Sequence, residues 1–259
     1  MIFSGRRISR KSKKTDNNSV IGKVSTNALL NSSKFGKTMR VYNLTSAEHA
    51  LSNLKNRRLK ISRLNKLNDP YEFMGIDTSD SRARHSWSQT IKKSNNSTGL
   101  ICFSEDWSNP VLWSHYGDRH YGVCLGFDVP DTELMKVNYV EKMLPFNPST
   151  WHPDSVEAES QVHQLLCQKY IDWKYEEEYR IWVGLDEKDE ETGHYFLDFT
   201  EKLVLREVIL GARCTADRTK IKNLLNTYKH RVEITKAKTA TNSYTIVRDR
   251  KYKIMASNA

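Results

Sequence analysis

The sequence predicts an α+β fold with mixed or antiparallel sheets and flanking helices. Short apolar runs typical of strands are interspersed with amphipathic helical stripes, without the strict strand–helix–strand repeat of parallel α/β proteins. Hydrophobic residues make up 38% of the 259 residues, and 6 Trp and 12 Tyr supply large side chains for a core. We therefore expect a folded body with polar additions.

Composition divides the chain into three parts. Residues 1–38 are rich in Ser, Asn, Lys and Arg and lack apolar periodicity, which predicts a basic disordered tail. Residues 39–230 are predicted to form a single α+β domain. Residues 231–259 alternate weakly and are predicted to form a basic C-terminal extension with two short strands.

The first half of the domain contains two clear local signals. Thr45 and Glu48 have the spacing of a capping box, which predicts a helix start. Pro70 fixes its own φ and keeps Asp69 out of the α region, which predicts a turn. Periodicity predicts further elements: strands over 39–44, 59–62 and 99–104, and a helical connector over roughly 78–97.

In the second half, Ser108 and Pro110 predict the start of a short helix. Asp154 and Glu157 predict the cap of a longer helix that runs to about residue 172. The remaining predicted elements are strands over 121–128, 136–140, 178–184 and 204–210, and a helix over 215–229.

Several classes of protein are disfavoured. No run approaches the ~18 consecutive apolar residues of a membrane span, and no apolar segment follows the basic start as in a secretory signal. The signatures of P-loop NTPases, Rossmann dehydrogenases and α/β-hydrolases are missing. The 4 cysteines lack the spacing of a zinc module, so we expect no metal and a reducing, cytoplasmic compartment.

The net charge of +10 is concentrated at the two ends of the chain. Residues 1–40 carry 10 Lys and Arg against one acid, and residues 229–259 carry 8 against 2. Basic ends of this kind attract phosphate, so DNA or RNA is one predicted partner. A solvated tail that aids solubility explains residues 1–38 equally well.

Four polar-aromatic clusters hold the residues suited to chemistry. They are 42–46 (YNLTS), 67–72 (LNDPYE), 102–104 with 112–117 and 122–128, and 173–180 (WKYEEEYR). In this order they resemble a bacterial family catalogued as domain of unknown function 2971, related to the abortive-infection protein AbiGi of phage defence. The resemblance runs from about Val41 to Gly211. It implies a role in anti-phage defence, with a protein partner as in toxin–antitoxin systems.

The same order of motifs is similar to the plan of ADP-ribosyltransferases, which hold NAD in a cleft between two small sheets. This resemblance implies a toxin-like transferase or glycohydrolase with NAD as co-substrate. By it, Glu178 is the ribose carboxylate and Glu176 helps to place the acceptor. Ser104 matches the middle motif, and Asn43 holds the first-strand position where these enzymes usually have His or Arg.

The chemistry explains why a carboxylate is needed. Positive charge builds on the sugar as the nicotinamide–ribose bond breaks, and a nearby carboxylate stabilises it. Glu176 and Glu178, two apart on a strand, should share a face, and their repulsion should raise one pKa. The candidate nucleotide contacts are Tyr42, Asn43, Thr45, Asn68, Asp69, Trp113, His115, Tyr116 and Arg180.

Structural interpretations of these features stay open. Residues 176–178 are also typical of a solvated acidic edge paired with Lys174 and Arg180. Trp113 and Tyr116 are equally typical of core anchors, and residues 68–70 of a plain turn.

Two other functions stay open. One is a non-enzymatic, antitoxin-like regulatory protein that binds nucleic acid through its basic ends. The other is a metal-dependent nuclease, for which the available ligands are Asp69, Glu72, Asp128 and Glu178.

Overall fold

The computed structural model describes residues 36–146, 156–252 and 254–257. Residues 1–35 of the predicted tail and the predicted cap residue Asp154 lie outside these ranges. The helices are α1 (Ala47–Asn56), α2 (Ser81–Ser97), α3 (Pro110–His115), α4 (Val156–Leu166) and α5 (Arg218–Leu225). The strands are β1 (Thr38–Thr45), β2 (Arg58–Lys60), β3 (Ser62–Arg63), β4 (Thr98–Ser104), β5 (Val123–Pro130), β6 (Met135–Lys136), β7 (Asn138–Val140), β8 (Gln168–Tyr170), β9 (Glu178–Gly184), β10 (Phe196–Asp198), β11 (Val204–Leu210), β12 (Glu233–Thr239), β13 (Ile246–Arg248) and β14 (Met255–Ala256).

Ten strands form one mixed sheet in the order β13-β12-β11-β5-β1-β4-β9-β6, with β14 beside β12 and β3 beside β4. Its pairs are antiparallel except for β11 with β12. Two small sheets pair β2 with β10 and β7 with β8. This architecture confirms the predicted α+β class.

The large sheet is nearly divided between β1 and β4. β1 pairs with β5 along its whole length, and β4 pairs with β9 along its whole length. Between β1 and β4, the register of the described strands contains one pair, Tyr42 opposite Ser104. Two half-sheets therefore meet at a single point and separate away from it.

Helices cover both faces of the sheet but leave a gap on one of them. On the first face, α1 and α5 bury Leu54 and Ile221 in the main core. On the second face, α3 packs Trp113 against the β5–β11 half-sheet. There α2 and α4 pack Trp87 and Leu165 against the β4–β9 half-sheet. The gap between these two groups of helices lies over the β1–β4 junction.

Several predicted boundaries were wrong. Ser46, not Thr45, caps α1, because its side chain accepts a hydrogen bond from the backbone N–H of His49. The helix after Glu157 ends at Leu166, because the chain then turns into β8 and pairs with β7. The single strand predicted over 136–140 is two strands, since β6 joins the main sheet and β7 pairs with β8.

Residues beyond 230 contribute to the large sheet. β12 pairs with β11, and both β13 and β14 pair with β12. Ala237 and Ile246 are buried against Trp113. None of the helices in the described ranges is long and apolar enough to cross a membrane.

Candidate functional site

A cavity of ≈ 290 Å³ lies at the gap over the β1–β4 junction. Its walls come from β1, β4, α3 and the segment around β3, and its floor carries three carboxylates, those of Glu72, Glu176 and Glu178. Seven of the residues predicted for the site line it: Tyr42, Asn43, Asn68, Ser104, Tyr116, Glu176 and Glu178.

Three of these residues form a row across the sheet. Tyr42 on β1 lies opposite Ser104 on β4, and Ser104 lies opposite Glu178 on β9. The Ser104 hydroxyl lies 2.6 Å from the carbonyl oxygens of both Asp106 and Glu176, which share its single proton. Ser104 therefore holds the end of β4 to the turn that precedes β9.

Lys169 lies at the centre of the cavity floor. Its Nζ lies 2.5 Å from Oε2 of Glu176, 3.1 Å from Oε2 of Glu178 and 3.2 Å from Oε1 of Glu72. An ammonium group has three N–H donors, so each donor has one carboxylate. All four side chains are at most 5% exposed.

Arg180 binds two of these carboxylates, those of Glu72 and Glu178, from beneath. Its Nε donates to Glu178 at 2.8 Å and one terminal nitrogen donates to Glu72 at 2.9 Å. Its other terminal nitrogen donates to the Leu166 carbonyl at 3.0 Å. Two cations thus face three carboxylates, so the buried cluster has one more acidic than basic group.

The carboxyl groups differ in pKa. Burial acts to raise the pKa of Glu178, but the charges and hydrogen bonds of Arg180, with the charge of Lys169, lower it to about 2. Burial raises the pKa of Glu176, and Lys169 and Tyr116 offset this only in part. Burial also raises the pKa of Glu72. The Glu176–Glu178 pair therefore has one raised pKa, as predicted, although burial is the larger cause.

Glu176 does not lie on a strand, which corrects the predicted geometry of the pair. It ends a 3₁₀ turn over Ile171–Glu176, and Glu177 has left-handed backbone with φ of 44° before β9 begins at Glu178. This turn still brings both carboxylates to Lys169. Only Glu177 of the three is exposed, so a solvated acidic edge does not describe Glu176 or Glu178.

A chain of hydrogen bonds leads from the surface to the cluster. The Asn68 amide donates to the Tyr116 hydroxyl at 2.8 Å, and that hydroxyl donates to Oε1 of Glu176 at 2.5 Å. Burial, with the neighbouring Glu176 charge, raises the pKa of Tyr116, so the phenol keeps its proton. Across the junction, the Asn43 amide donates to the Cys102 carbonyl at 3.1 Å.

The structure does not bring the other five predicted residues into the cavity lining. Thr45 ends β1, and Asp69 accepts from the backbone N–H of Tyr71 within its turn. Trp113 is fully buried and donates to the Trp107 carbonyl. His115 lies 2.9 Å from the Tyr175 hydroxyl at the exposed surface. Arg180 lies behind Glu178.

Of the four proposed nuclease ligands, Glu72 and Glu178 come together around Lys169 and Arg180, whereas Asp69 and Asp128 do not join them. Asp128 binds Arg40 and Arg206 on another part of the sheet. Among the residues that the structure describes, no group of three His, Cys, Asp or Glu side chains is placed to hold a metal ion.

Four charged lining residues were not predicted as part of a nucleotide site: Lys60, Lys66, Glu72 and Lys169. Glu72 lies within one of the four clusters, so its position in the sequence could have indicated it. Lys169 continues the apolar spacing of α4, and this helical spacing concealed its place on β8.

Comparison with known families gives one result. The family described as protein of unknown function (DUF2971) matches residues 112–181. The chain is similar to this family over α3 to β9, a shorter segment than predicted, and the match confirms the resemblance there. The matched segment contains Tyr116, Lys169, Glu176, Glu178 and Arg180. Neither a search of curated proteins nor a search of solved structures found a match.

Proposed function

We propose that the protein is an enzyme that breaks the N-glycosidic bond of NAD and passes ADP-ribose to an acceptor or to water. The observation that carries this proposal is the buried carboxylate cluster at the cavity floor, where Glu72, Glu176 and Glu178 surround Lys169 and two of them also bind Arg180. Positive charge develops on the ribose as the bond to nicotinamide breaks. Glu178, which is buried and held ionised, stabilises that charge.

The two carboxyls of the pair have separate roles in this reaction. Glu178, with a pKa of about 2, stays ionised and supplies fixed negative charge. The C1′–N bond breaks and its electron pair leaves on nicotinamide. The oxygen or nitrogen of an acceptor O–H or N–H group then bonds to C1′, and its proton passes to Glu176, whose raised pKa suits a general base.

The cavity lining supports a nucleotide as the substrate. Lys60 and Lys66 supply two ammonium groups suited to a diphosphate. Tyr42 lies opposite Ser104 and next to Asn43, the residue predicted for the first-strand position, and it supplies an aromatic ring there. A volume of ≈ 290 Å³ is at the lower end of small-molecule sites, so it suits the nicotinamide–ribose end with the remainder of NAD outside.

The test is release of nicotinamide from labelled NAD, with and without nucleic acid or cell lysate as acceptor. We expect release by the wild type and about 100-fold less by Glu176→Gln, since a general base contributes at least that much. Glu177→Gln is the matched control, because Glu177 is the exposed neighbour and should release nicotinamide like the wild type. No release by the wild type, together with no direct binding of NAD, overturns the proposal.

We propose that this activity serves a toxin-like role in anti-phage defence in the cytoplasm. The resemblance to the AbiGi-related family supports the role, and the four free cysteines fit a reducing compartment. Induced expression of the wild type should slow bacterial growth, and expression of Glu176→Gln should not.

Nucleic-acid binding is a second candidate, favoured by a cluster of guanidinium groups. Arg40, Arg206 and Arg248 lie on β1, β11 and β13, which are each separated from the next by one strand of the sheet. Their side chains are 33%, 35% and 41% exposed and pair with Asp128 and Glu207. Three cations thus face two carboxylates. Binding of an oligonucleotide should fall steeply with salt and weaken in Arg206→Gln.

A further inference from the structure

A second cavity, of ≈ 370 Å³, shares Lys169 with the first. Tyr71 and Met74 line it from the loop after Asp69, Met143 lines it from the segment after β7, and Gln168 and Tyr170 line it from β8. On the same loop, Glu72 lines the first cavity. Lys169 and this loop therefore form the wall between the two cavities.

Gln168 lines this second cavity, and the oxygen of its side-chain amide has no hydrogen-bond partner among the described residues. The side chain is 6% exposed, and its Oε1 is buried with no hydrogen-bond partner in the part of the chain that the structure describes. The nearby Gly75 has no side chain, and a Cβ there would lie 3.2 Å from that Oε1. A buried amide of this kind is costly unless a ligand supplies its partner.

The mouth of the cavity is aromatic and apolar. Three large side chains there are exposed to solvent: Tyr71 is 65% exposed, Tyr170 50% and Met143 49%. A cluster of exposed large apolar groups around a cavity indicates a binding site. Glu141 and Lys142 also line it, so the charge of the lining does not favour a strongly charged ligand.

We propose that this second cavity binds the adenine ring of an adenine nucleotide. The carboxamide of Gln168 offers an acceptor and a donor, which match the N6 amino group and N7 of adenine. Tyr71 and Tyr170 offer flat faces on which a purine stacks. A volume of ≈ 370 Å³ falls within the usual range of small-molecule sites.

Binding of adenine would also affect the first cavity. Lys169 lies on β8 between Gln168 and Tyr170, so a ligand that shifts β8 also moves the ammonium group that holds Glu176 and Glu178. This regulatory consequence rests on the proposed function, whereas the binding of adenine does not.

The test is calorimetric titration of the full chain with adenosine. We expect adenosine to bind the wild type and to bind Gln168→Leu roughly tenfold more weakly or worse, since the bidentate amide contact is lost. Gln164→Leu is the matched control. Gln164 is exposed on α4, so this variant replaces the same side chain by leucine outside the cavity. Inosine, which has oxygen in place of the amino group, should also bind more weakly than adenosine.

Three results would overturn the proposal: no binding of adenosine at millimolar concentration, equal binding by Gln168→Leu and the wild type, or equal binding of inosine. Gln168→Leu should melt at or above the temperature of the wild type, because it removes a buried oxygen that has no hydrogen-bond partner within the described residues. A melting curve therefore separates lost binding from lost folding.

A second titration with NAD present identifies the source of the adenine. Competition between adenosine and NAD assigns the cavity to the adenine half of the dinucleotide, and simultaneous binding assigns it to a separate nucleotide. Either result supports adenine recognition. Adenosine binding without any nicotinamide release overturns the proposed function alone, so the two failures are distinguishable.

Discussion

The Tyr116 hydroxyl donates a 2.5 Å hydrogen bond to Oε1 of Glu176. Since that hydroxyl also accepts from Asn68, its own proton is directed at the carboxylate. Glu176 accepts from Lys169 on its other oxygen, so each oxygen of the carboxylate accepts a hydrogen bond. Glu176, whose pKa is raised, therefore contacts Tyr116 on one side and the buried Lys169 on the other.

Tyr116→Phe should raise the pKa of Glu176 further, because the variant removes a hydrogen bond that lowers it. If Glu176 is the general base, the acid limb of the nicotinamide-release profile should move to higher pH. The free energy of unfolding should fall by about 1–2 kcal/mol, as expected for a hydrogen bond to a charged group. The measurements are the pH–rate profile and urea unfolding.

Tyr121→Phe provides the control for this variant. Tyr121 is 48% exposed and does not line the cavity, so its profile and stability should match the wild type. An unchanged acid limb in Tyr116→Phe would contradict the role given to the Tyr116–Glu176 hydrogen bond.

Lys169→Met should destabilise the fold strongly. The variant leaves the buried carboxylates of Glu72, Glu176 and Glu178 with Arg180 as their remaining cation. Removing one partner from a buried ionic cluster costs about 3–5 kcal/mol. Urea unfolding at neutral pH measures the change in the free energy of unfolding.

Lys174→Met is the matched control, because Lys174 is an exposed lysine on the turn before Glu176. We expect its stability to stay within about 0.5 kcal/mol of the wild type. A loss below about 1 kcal/mol for Lys169→Met would show that Lys169 does not hold the cluster together.

The strands with strong local signals were predicted well. The predicted bounds of 178–184 and 204–210 match β9 and β11, since both strands contain apolar runs and are paired on both sides in the sheet. The two half-sheets could not be predicted, because strand pairing is set by contacts between distant segments. Tyr42 and Ser104, the pair that joins them, are far apart in the chain.

The buried charged cluster also depends on contacts between distant segments, which the sequence does not reveal. The sequence indicated Glu176 and Glu178, but Glu72 joins them through Arg180, 108 residues away. Lys169 was assigned to a helix from its spacing to Val162 and Leu166. Pairing of β8 with β7 outweighs the local preference for helix and places the Lys169 side chain among the carboxylates.

Glu178 should make stability depend on pH between about 4.5 and about 2. Its pKa is lowered from 4.5 to about 2 on folding, so its contribution is complete above pH 4.5 and is lost as the pH falls towards 2. A shift of this size corresponds to about 3 kcal/mol. The raised pKa values of Glu72 and Glu176 act oppositely: their contribution is present below pH 4.5 and is lost as the pH rises through the folded values.

The pH experiment needs a background without Asp189. Hydrogen bonds from Thr192 and Arg58 lower the pKa of Asp189 to about 2 as well, so it titrates in the same range. Urea unfolding of Asp189→Asn should therefore be compared with the double variant Asp189→Asn/Glu178→Gln. The double variant should be less stable at neutral pH and should show a smaller fall below pH 4.5, because Asp77, Asp80, Asp128 and Glu201, whose pKa values are also lowered, contribute the remainder. Parallel curves would contradict the assignment.

Asn43→Ala should loosen the junction between the half-sheets. The Asn43 side chain donates to the Cys102 carbonyl, next to the backbone pair formed by Tyr42 and Ser104. Loss of this hydrogen bond should lower the free energy of unfolding by about 1 kcal/mol. Amides of β1 and β4 near the junction should then exchange faster in hydrogen–deuterium exchange, because local opening becomes less costly.

The exposed Asn56 at the end of α1 provides the control, since Asn56→Ala removes the same side chain away from the junction. In that variant, β1 and β4 should exchange as in the wild type. Faster exchange should also be confined to the junction in Asn43→Ala, because β1 and β4 are paired along their whole length with β5 and β9. Equal protection of β4 in the wild type and Asn43→Ala would mean that the single Tyr42–Ser104 pair holds the half-sheets without the amide.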